Sequence, residues 1–324
     1  MTELSLDTWL NDLPLLDFYR EISPPRRYDT DEGAYDAQYG IDETMVREGL
    51  GAVNLLRHHG YDFRGTALEI GCGTGRLSLG LARSSAFEHL LLTDCSPSFL
   101  KITARKIGRV DAGRVDYATL MGEDLGRFPP GSLSAVLLNA ALHHVVDVDK
   151  FLADISRALA PGGFIVFLEP CTGMLTMGML AHVAVQTHNG AMSPEQCARF
   201  QAMADCMTFY HRRDIDKANS EDKHLFNPHE MIVWSRRHDI EMDFYPNAHF
   251  AAFHNGMIPK DRVFNFTLYF RNHLKYCMNF DDELLALYDT HVAPFAAYMD
   301  VAAQGGGGPF MEGVFIGRKA GSPA

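Results

Sequence analysis

Along residues 61–170, short apolar runs alternate with segments whose apolar positions recur at helical spacing. The runs at 67–70, 89–93, 115–120, 135–138 and 164–168 predict five strands. The segments at 77–82 and 98–107 predict helices between them. A further helix carries Phe151, Leu152, Ile155 and Leu159 on one face, with Asp149 as its N-cap and Pro161, Gly162 and Gly163 as its stop. Strands separated by helices of this length imply a parallel sheet in an α/β fold. The run 164–168 is wholly apolar, as expected of a strand buried on both faces.

The flanking segments read differently. Residues 1–60 form a polar, aromatic-rich leader broken by Pro24 and Pro25, with Tyr28, Tyr35 and Tyr39 among acids. A helix is predicted from near Asp42, taken as its N-cap, with Val46, Leu50, Val53 and Leu56 on one face and Gly60 as its end. Beyond Pro170, residues 171–225 are rich in Met, Ala and His and read as helices, as do 228–237 and most of 258–300. Strands are expected at 240–245 and 310–316, and a flexible run at 305–308. No internal repeat is evident.

Composition narrows the function classes. The chain has 324 residues, 47% of them hydrophobic and 22% charged, and a net charge of −12. An acidic surface repels polyanions, which are held mainly by Lys and Arg at phosphates, so nucleic acid is not an expected partner. No run of 18 apolar residues is present and the first ten residues do not resemble a secretory signal, so neither a membrane span nor secretion is expected. The six cysteines, at 72, 95, 171, 197, 206 and 277, form no C-x-x-C pair, which fits a reducing cytoplasm. His229 and Glu230 open like a zinc-protease helix, but Val233 stands where the second His is required.

The sharpest chemical signal is Leu68-Glu69-Ile70-Gly71-Cys72-Gly73-Thr74-Gly75, a strand running into a glycine turn and a helix. Such a turn lets a ligand approach the backbone and the helix N-terminus. The third glycine falls one place early for a dinucleotide fingerprint, and Arg76 occupies the fingerprint's third-glycine position; both count against a nicotinamide oxidoreductase. Asp94 ends the second strand, where an acid can accept from ribose hydroxyls or merely cap the next helix. Glu123 and Asp124 follow the third strand, and Asn139, His143 and His144 the fourth. An imidazole is suited to take a proton from a hydroxyl near neutral pH, although paired His also serves as loop structure.

Residues 66–170 resemble the class I methyltransferases that use S-adenosylmethionine, of the small-molecule type found in cofactor and natural-product pathways. LEIGCGTG, LLLTDCS, MGEDL, NAALHHV and LAPGGFIVFLEP stand in the family's order. The resemblance implies a Rossmann-like seven-stranded sheet whose last strand is antiparallel, with 240–245 and 310–316 as strands six and seven. It assigns Glu69, Gly71, Gly73 and Gly75 to the methionine end of the donor and Asp94 to the ribose. Cys95 joins the cofactor-binding set, Glu123 or Asp124 would meet the adenine, and Asn139 would sit beside the sulfonium. Ser134 departs from the family's usual Asp. His144, or His143, becomes a catalytic base, with Glu169 orienting the imidazole.

The domain reading is a helical lid at 1–60, a donor-binding core at 61–170, helical insertions at 171–225 and 258–304 covering the acceptor, and core elements at 226–257 and 305–324. The function implied is methyl transfer to a small-molecule hydroxyl, leaving S-adenosylhomocysteine. Alternatives are N- or C-methylation by proximity, a nucleic-acid or protein methyltransferase, and a non-catalytic donor-binding module. No metal is expected; a metal-assisted route would use His144 with Asp147 or Asp149. A homodimer is left open.

Overall fold

A computed structural model of the chain describes residues 5–26, 31–108, 113–256, 264–304 and 308–321. It forms two compact units. The first comprises 1–169, 228–259 and 314–324, and the second 170–227 and 260–313.

In chain order the first unit opens with α1 (Leu6–Asp12), β1 (Leu15–Leu16), β2 (Tyr19–Glu21), α2 (Glu32–Tyr39) and α3 (Asp42–His58). Then β3 (Thr66–Ile70), α4 (Ser78–Ser84), β4 (His89–Asp94), α5 (Pro97–Ile107), β5 (Arg114–Thr119), β6 (Leu133–Asn139), α6 (Val148–Ala158) and β7 (Leu159–Pro170) alternate. The second unit contributes α7 (Leu175–Thr187) and α8 (Pro194–His211). The first resumes with α9 (Pro228–Arg237) and β8 (Ile240–Pro246). Three further helices, α10 (Phe266–Tyr276), α11 (Asp282–His291) and α12 (Ala293–Gln304), belong to the second unit, and β9 (Glu312–Lys319) closes the sheet.

The sheet has nine strands in the order β1-β2-β5-β4-β3-β6-β7-β9-β8. The pairs β2–β5, β5–β4, β4–β3, β3–β6 and β6–β7 are all parallel. Two strands exceed the expected seven. They come from the leader, where β1 and β2 form a short antiparallel hairpin that extends the β5 edge. The leader is therefore only partly helical. Nothing in the pattern of 15–21 marks it as strand; its pairing with Ala118 and Thr119, about a hundred residues away, supplies the order.

Other boundaries also move. Asp147, not Asp149, caps α6, its carboxylate accepting from the Lys150 amide at 2.9 Å. The helix ends at Ala158, and Leu159 with Pro161, Gly162 and Gly163 begins β7 instead of ending α6. The backbone there pairs with Leu133 of β6 across a register shift, so sheet hydrogen bonding overrides the local stop signal. Ile41, not Asp42, occupies the cap position of α3 and provides no side-chain cap. The last strand lies at Glu312–Lys319, beyond the expected 310–316. Tyr28 and residues 305–307 of the glycine run lie outside the described residues.

The core of the first unit sits on both sides of β3, β4, β6 and β7, where Leu68, Leu91, Val136, Leu138, Ile165 and Phe167 are inaccessible. Phe164–Leu168 is buried throughout, as its apolar run implied. Helix α3 covers one face through Met45, Ala52, Val53, Leu55 and Leu56. It crosses α4 at a glycine contact, since a Cβ on Gly49 would lie 2.5 Å from Gly80 Cα. The second unit has its own core, with Met177, Met203, Phe200, Phe270, Leu274 and Tyr288 at its centre.

Candidate active site

The carboxyl ends of β3, β4, β5, β6 and β7 carry the polar groups that the motifs single out. Gly71, Gly73 and Gly75 all have positive φ, at 67°, 52° and 98°. A side chain at any of them would strain the backbone. A Cβ on Gly73 would meet nothing within 4 Å, so the turn borders open space. Thr103 of α5 holds the turn, its Oγ1 donating to the Gly73 carbonyl at 2.8 Å.

Beneath the turn lie two buried carboxyls. Glu69 accepts from Ser78 Oγ at 2.7 Å, and burial pushes its pKa up to about 8 against the smaller opposing effect of that bond. Asp94 accepts from the Gly73 amide and the Ser96 amide, each at 2.9 Å. Desolvation raises its pKa to about 6, while those amides and Cys95 pull the other way. The Cys95 thiol lies 3.8 Å from an Asp94 oxygen. Each carboxylate oxygen accepts about two hydrogen bonds, so Asp94 keeps capacity for hydroxyl donors beyond its two amides.

Glu123 and Asp124 sit on a 3₁₀ turn, Gly122–Arg127, and face different partners. Glu123 accepts from the Val146 amide at 3.0 Å. Asp124 accepts from Ser23 Oγ at 2.6 Å and pairs with Arg127 at 3.2 Å. Ser23 also takes the Met121 amide on its hydroxyl, and its carbonyl accepts from Thr119 Oγ1 at 2.7 Å. The leader is thus bolted to the end of β5, and Arg26 continues the strap by donating its amide to the Cys95 carbonyl at 2.8 Å. Sequence reasoning missed Ser23 because a lone Ser in a polar leader carries no signal.

After β6 the chain makes a tight turn. Ala140 adopts φ +54°, a left-handed conformation that costs a non-glycine residue about 1–2 kcal/mol. Glu169, inaccessible at the end of β7, holds that turn. Its Oε1 accepts from the Ala141 amide at 2.8 Å and the Leu142 amide at 2.6 Å. Its Oε2 lies 2.6 Å from His143 Nδ1 and 3.3 Å from the His143 amide. Of the two imidazoles expected near it, the structure pairs Glu169 with His143. The two imidazoles lie with ring centroids 4.0 Å apart. Among the described residues, buried Asn139 Nδ2 has no hydrogen-bond partner.

The arrangement fits a nucleoside-bearing cofactor. An open glycine turn, a carboxylate at the neighbouring strand end and an unsatisfied amide donor are what an adenosine with a charged amino-acid tail requires. The model for the "Methyltransferase domain" family matches residues 68–167.

Residues 68–167 carry a methyltransferase domain of the class I type that uses S-adenosylmethionine.

The domain's relatives agree in kind. Over 196 residues the chain is 26% identical to the ubiquinone biosynthesis O-methyltransferase of Xylella fastidiosa, covering 60% of this chain and 69% of that one. It is 29% identical over 119 residues to the demethylmenaquinone methyltransferase of Leptospira interrogans, covering 36% and 48%. It is 33% identical over 106 residues to the reducing polyketide synthase Preu2 of Preussia isomera, spanning 32% of this chain and only 4% of the synthase. A chain from the complex of the Haloferax volcanii Trm112 methyltransferase activator with a methyltransferase shares the fold, with TM-score 0.50, 14% identity, and coverage of 90% of this chain and 100% of that one. Among the described residues, no helix is long and apolar enough to cross a membrane.

Proposed function

We propose that the protein transfers a methyl group from S-adenosylmethionine to a hydroxyl of a small, hydroxylated aromatic acceptor in the cytoplasm. The observation that carries this reading is the pairing of buried Glu169 with the half-buried His143, at the strand ends that follow the glycine turn. The donor supplies an activated methyl group; the chain's own residues hold and orient it. In this reading Glu69 and the Gly71–Gly75 turn face its amino-acid end, Asp94 and Cys95 its ribose, Glu123 or Asp124 its adenine, and Asn139 its sulfur.

A hydroxyl acceptor benefits from losing its proton as it attacks, and an imidazole in reach can take it. Glu169 fixes the His143 ring through Nδ1 and supports the imidazolium formed when Nε2 accepts a proton. His144, beside it, is the alternative base. One relative is named for ubiquinone biosynthesis and another for demethylmenaquinone, which supports a quinone-like aromatic acceptor. In the same unit as the donor groups, α2 is proposed to act as a cover.

The test is turnover with S-adenosylmethionine and a panel of catechols and quinols, followed by detection of S-adenosylhomocysteine and of the methylated product. His143→Ala should lower turnover by about 10² to 10⁴ while leaving donor affinity unchanged. If His143→Ala keeps wild-type turnover and His144→Ala does not, the base is His144. If neither substitution matters, methyl transfer by positioning alone, to nitrogen, carbon or an ionised oxygen, is the better reading. Donor binding without turnover on any acceptor would leave the non-catalytic module.

A further inference from the structure

In the second unit, α7 and α8 form a hairpin joined by residues 188–193. His188 stands at the C-cap of α7, and the chain reverses through Asn189 and Gly190, both at positive φ. The imidazole folds back over this turn. Its Nδ1 accepts from the Gly190 amide and the Met192 amide, each at 3.1 Å. A ring nitrogen that accepts two amide hydrogens carries no proton, so the neutral ring bears its hydrogen on Nε2.

That nitrogen lies 3.4 Å from Cys197 Sγ. Because Nε2 is the donor, the sulfur must be the acceptor. A donor of this kind binds a sulfur more strongly as it gains negative charge. Cys197 is the fourth residue of α8, whose first turn is ordered by the Ser193–Gln196 capping box, and its amide donates to the Ser193 carbonyl at 2.9 Å. The positive end of an 18-residue helix adds to the effect. The side chain is half-buried, at the margin of the unit's apolar core. Cys171, by contrast, is buried, and burial pushes up the thiols of Cys72 and Cys206.

We propose that Cys197 is a modification site, a nucleophilic sulfur oriented by His188 that exchanges with low-molecular-weight disulfides. The Cys197 sulfur, its proton lost to solvent, attacks one sulfur of the disulfide. A new S–S bond to Cys197 forms as the old one breaks, and the second half leaves as a thiolate that takes a proton from water. Cys197 is oxidised and the small disulfide reduced, so two electrons are conserved within the exchange. His188 keeps its Nε2 hydrogen throughout and serves to position the sulfur. The proposal does not depend on the identity of the methyl acceptor.

The reduced full-length protein, incubated with glutathione disulfide near neutral pH and digested without reductant, would show mixed disulfides peptide by peptide in mass spectra. Cys197 should be modified about tenfold faster than the exposed Cys277. His188→Asn keeps an oxygen for the turn amides but removes the N–H aimed at sulfur, and should slow Cys197 by a similar factor with an unchanged unfolding midpoint. Equal rates at Cys197 and Cys277, or an undiminished rate in a folded His188→Asn protein, would overturn the proposal. Should that variant unfold, the ratio within the wild-type protein decides alone.

Discussion

At the scale of residues, the proposed donor side turns on two buried carboxyls, Glu69 and Asp94. If Asp94 meets the ribose as a carboxylate, Asp94→Ala should weaken S-adenosylhomocysteine binding by roughly 10- to 100-fold, since a charged hydrogen bond is worth about 1.5–3 kcal/mol. Its pKa near 6 adds a pH signature: affinity measured by calorimetry should be full above that value and fall as pH drops through it. Equal affinity in Asp94→Ala would remove the assignment. Glu69 makes a prediction about stability. Burial raises its folded pKa from the ordinary 4.5 to about 8, so between these values the folded state holds a proton that the unfolded state has released. Its contribution is therefore present below about pH 4.5 and is lost as pH rises toward 8. Glu69→Gln, which stays neutral, should narrow the stability difference between pH 5 and pH 8 in urea titrations; the same pH dependence in both proteins would show that Glu69 ionises freely.

At the scale of elements, the contact of α3 with α4 depends on the absence of side chains. A Cβ on Gly80 would stand 2.4 Å from the Val46 carbonyl and 2.7 Å from Gly49 Cα, both backbone atoms that cannot swing aside. Helix propensity favours Gly80→Ala by about 1 kcal/mol, whereas overpacking costs about 1–3 kcal/mol and here would separate two helices. The substitution should therefore destabilise the protein by up to about 2 kcal/mol net, read as a lower urea midpoint. A gain in stability would mean that the helices have room to part. Glu48, on the same helix, shows how little of such packing is legible in advance. It is an acidic residue, yet it is only 3% exposed because it accepts from the Ala251 amide at 3.0 Å and faces Arg76. Nothing in the periodicity of α3 announces a partner 203 residues away.

For the whole molecule, the leader divides into a structural part and a proposed cover. Leu6, Leu10, Ile22 and Ser23 are buried, and β2 pairs with β5, so residues 5–26 belong to the folded body of the first unit. Burying each such aliphatic side chain contributes roughly 1.5–3 kcal/mol. Deleting residues 1–26 should lower the melting temperature by roughly 10 °C or more, and loss of turnover would then follow from unfolding. The cover role rests instead on α2, where Tyr35 packs its ring 5.5 Å from Phe99 and Asp36 pairs with Lys106. A deletion of 1–26 that melts like the full chain would show the hairpin to be dispensable.

What the sequence determined by itself is local. Apolar runs and helical spacing marked β3 to β7 and the helices α4 to α6 between them, because each element's burial is written in its own residues. The glycines at 71, 73 and 75 were legible because a positive φ is a demand on one residue at a time. The fold class followed from the alternation. Tertiary structure alone decided which polar groups meet. Glu169 could have faced His143 or His144 on chemistry alone; the parallel register of β6 against β7 brings its carboxylate to the 141–143 turn and pairs it with His143. Ser23 reaches Asp124 across 101 residues, and the 159–163 segment becomes strand because β6 offers hydrogen bonds that a helix stop does not. A side chain's type says what it can bond; only the register and connectivity of the sheet say what stands within 3 Å of it.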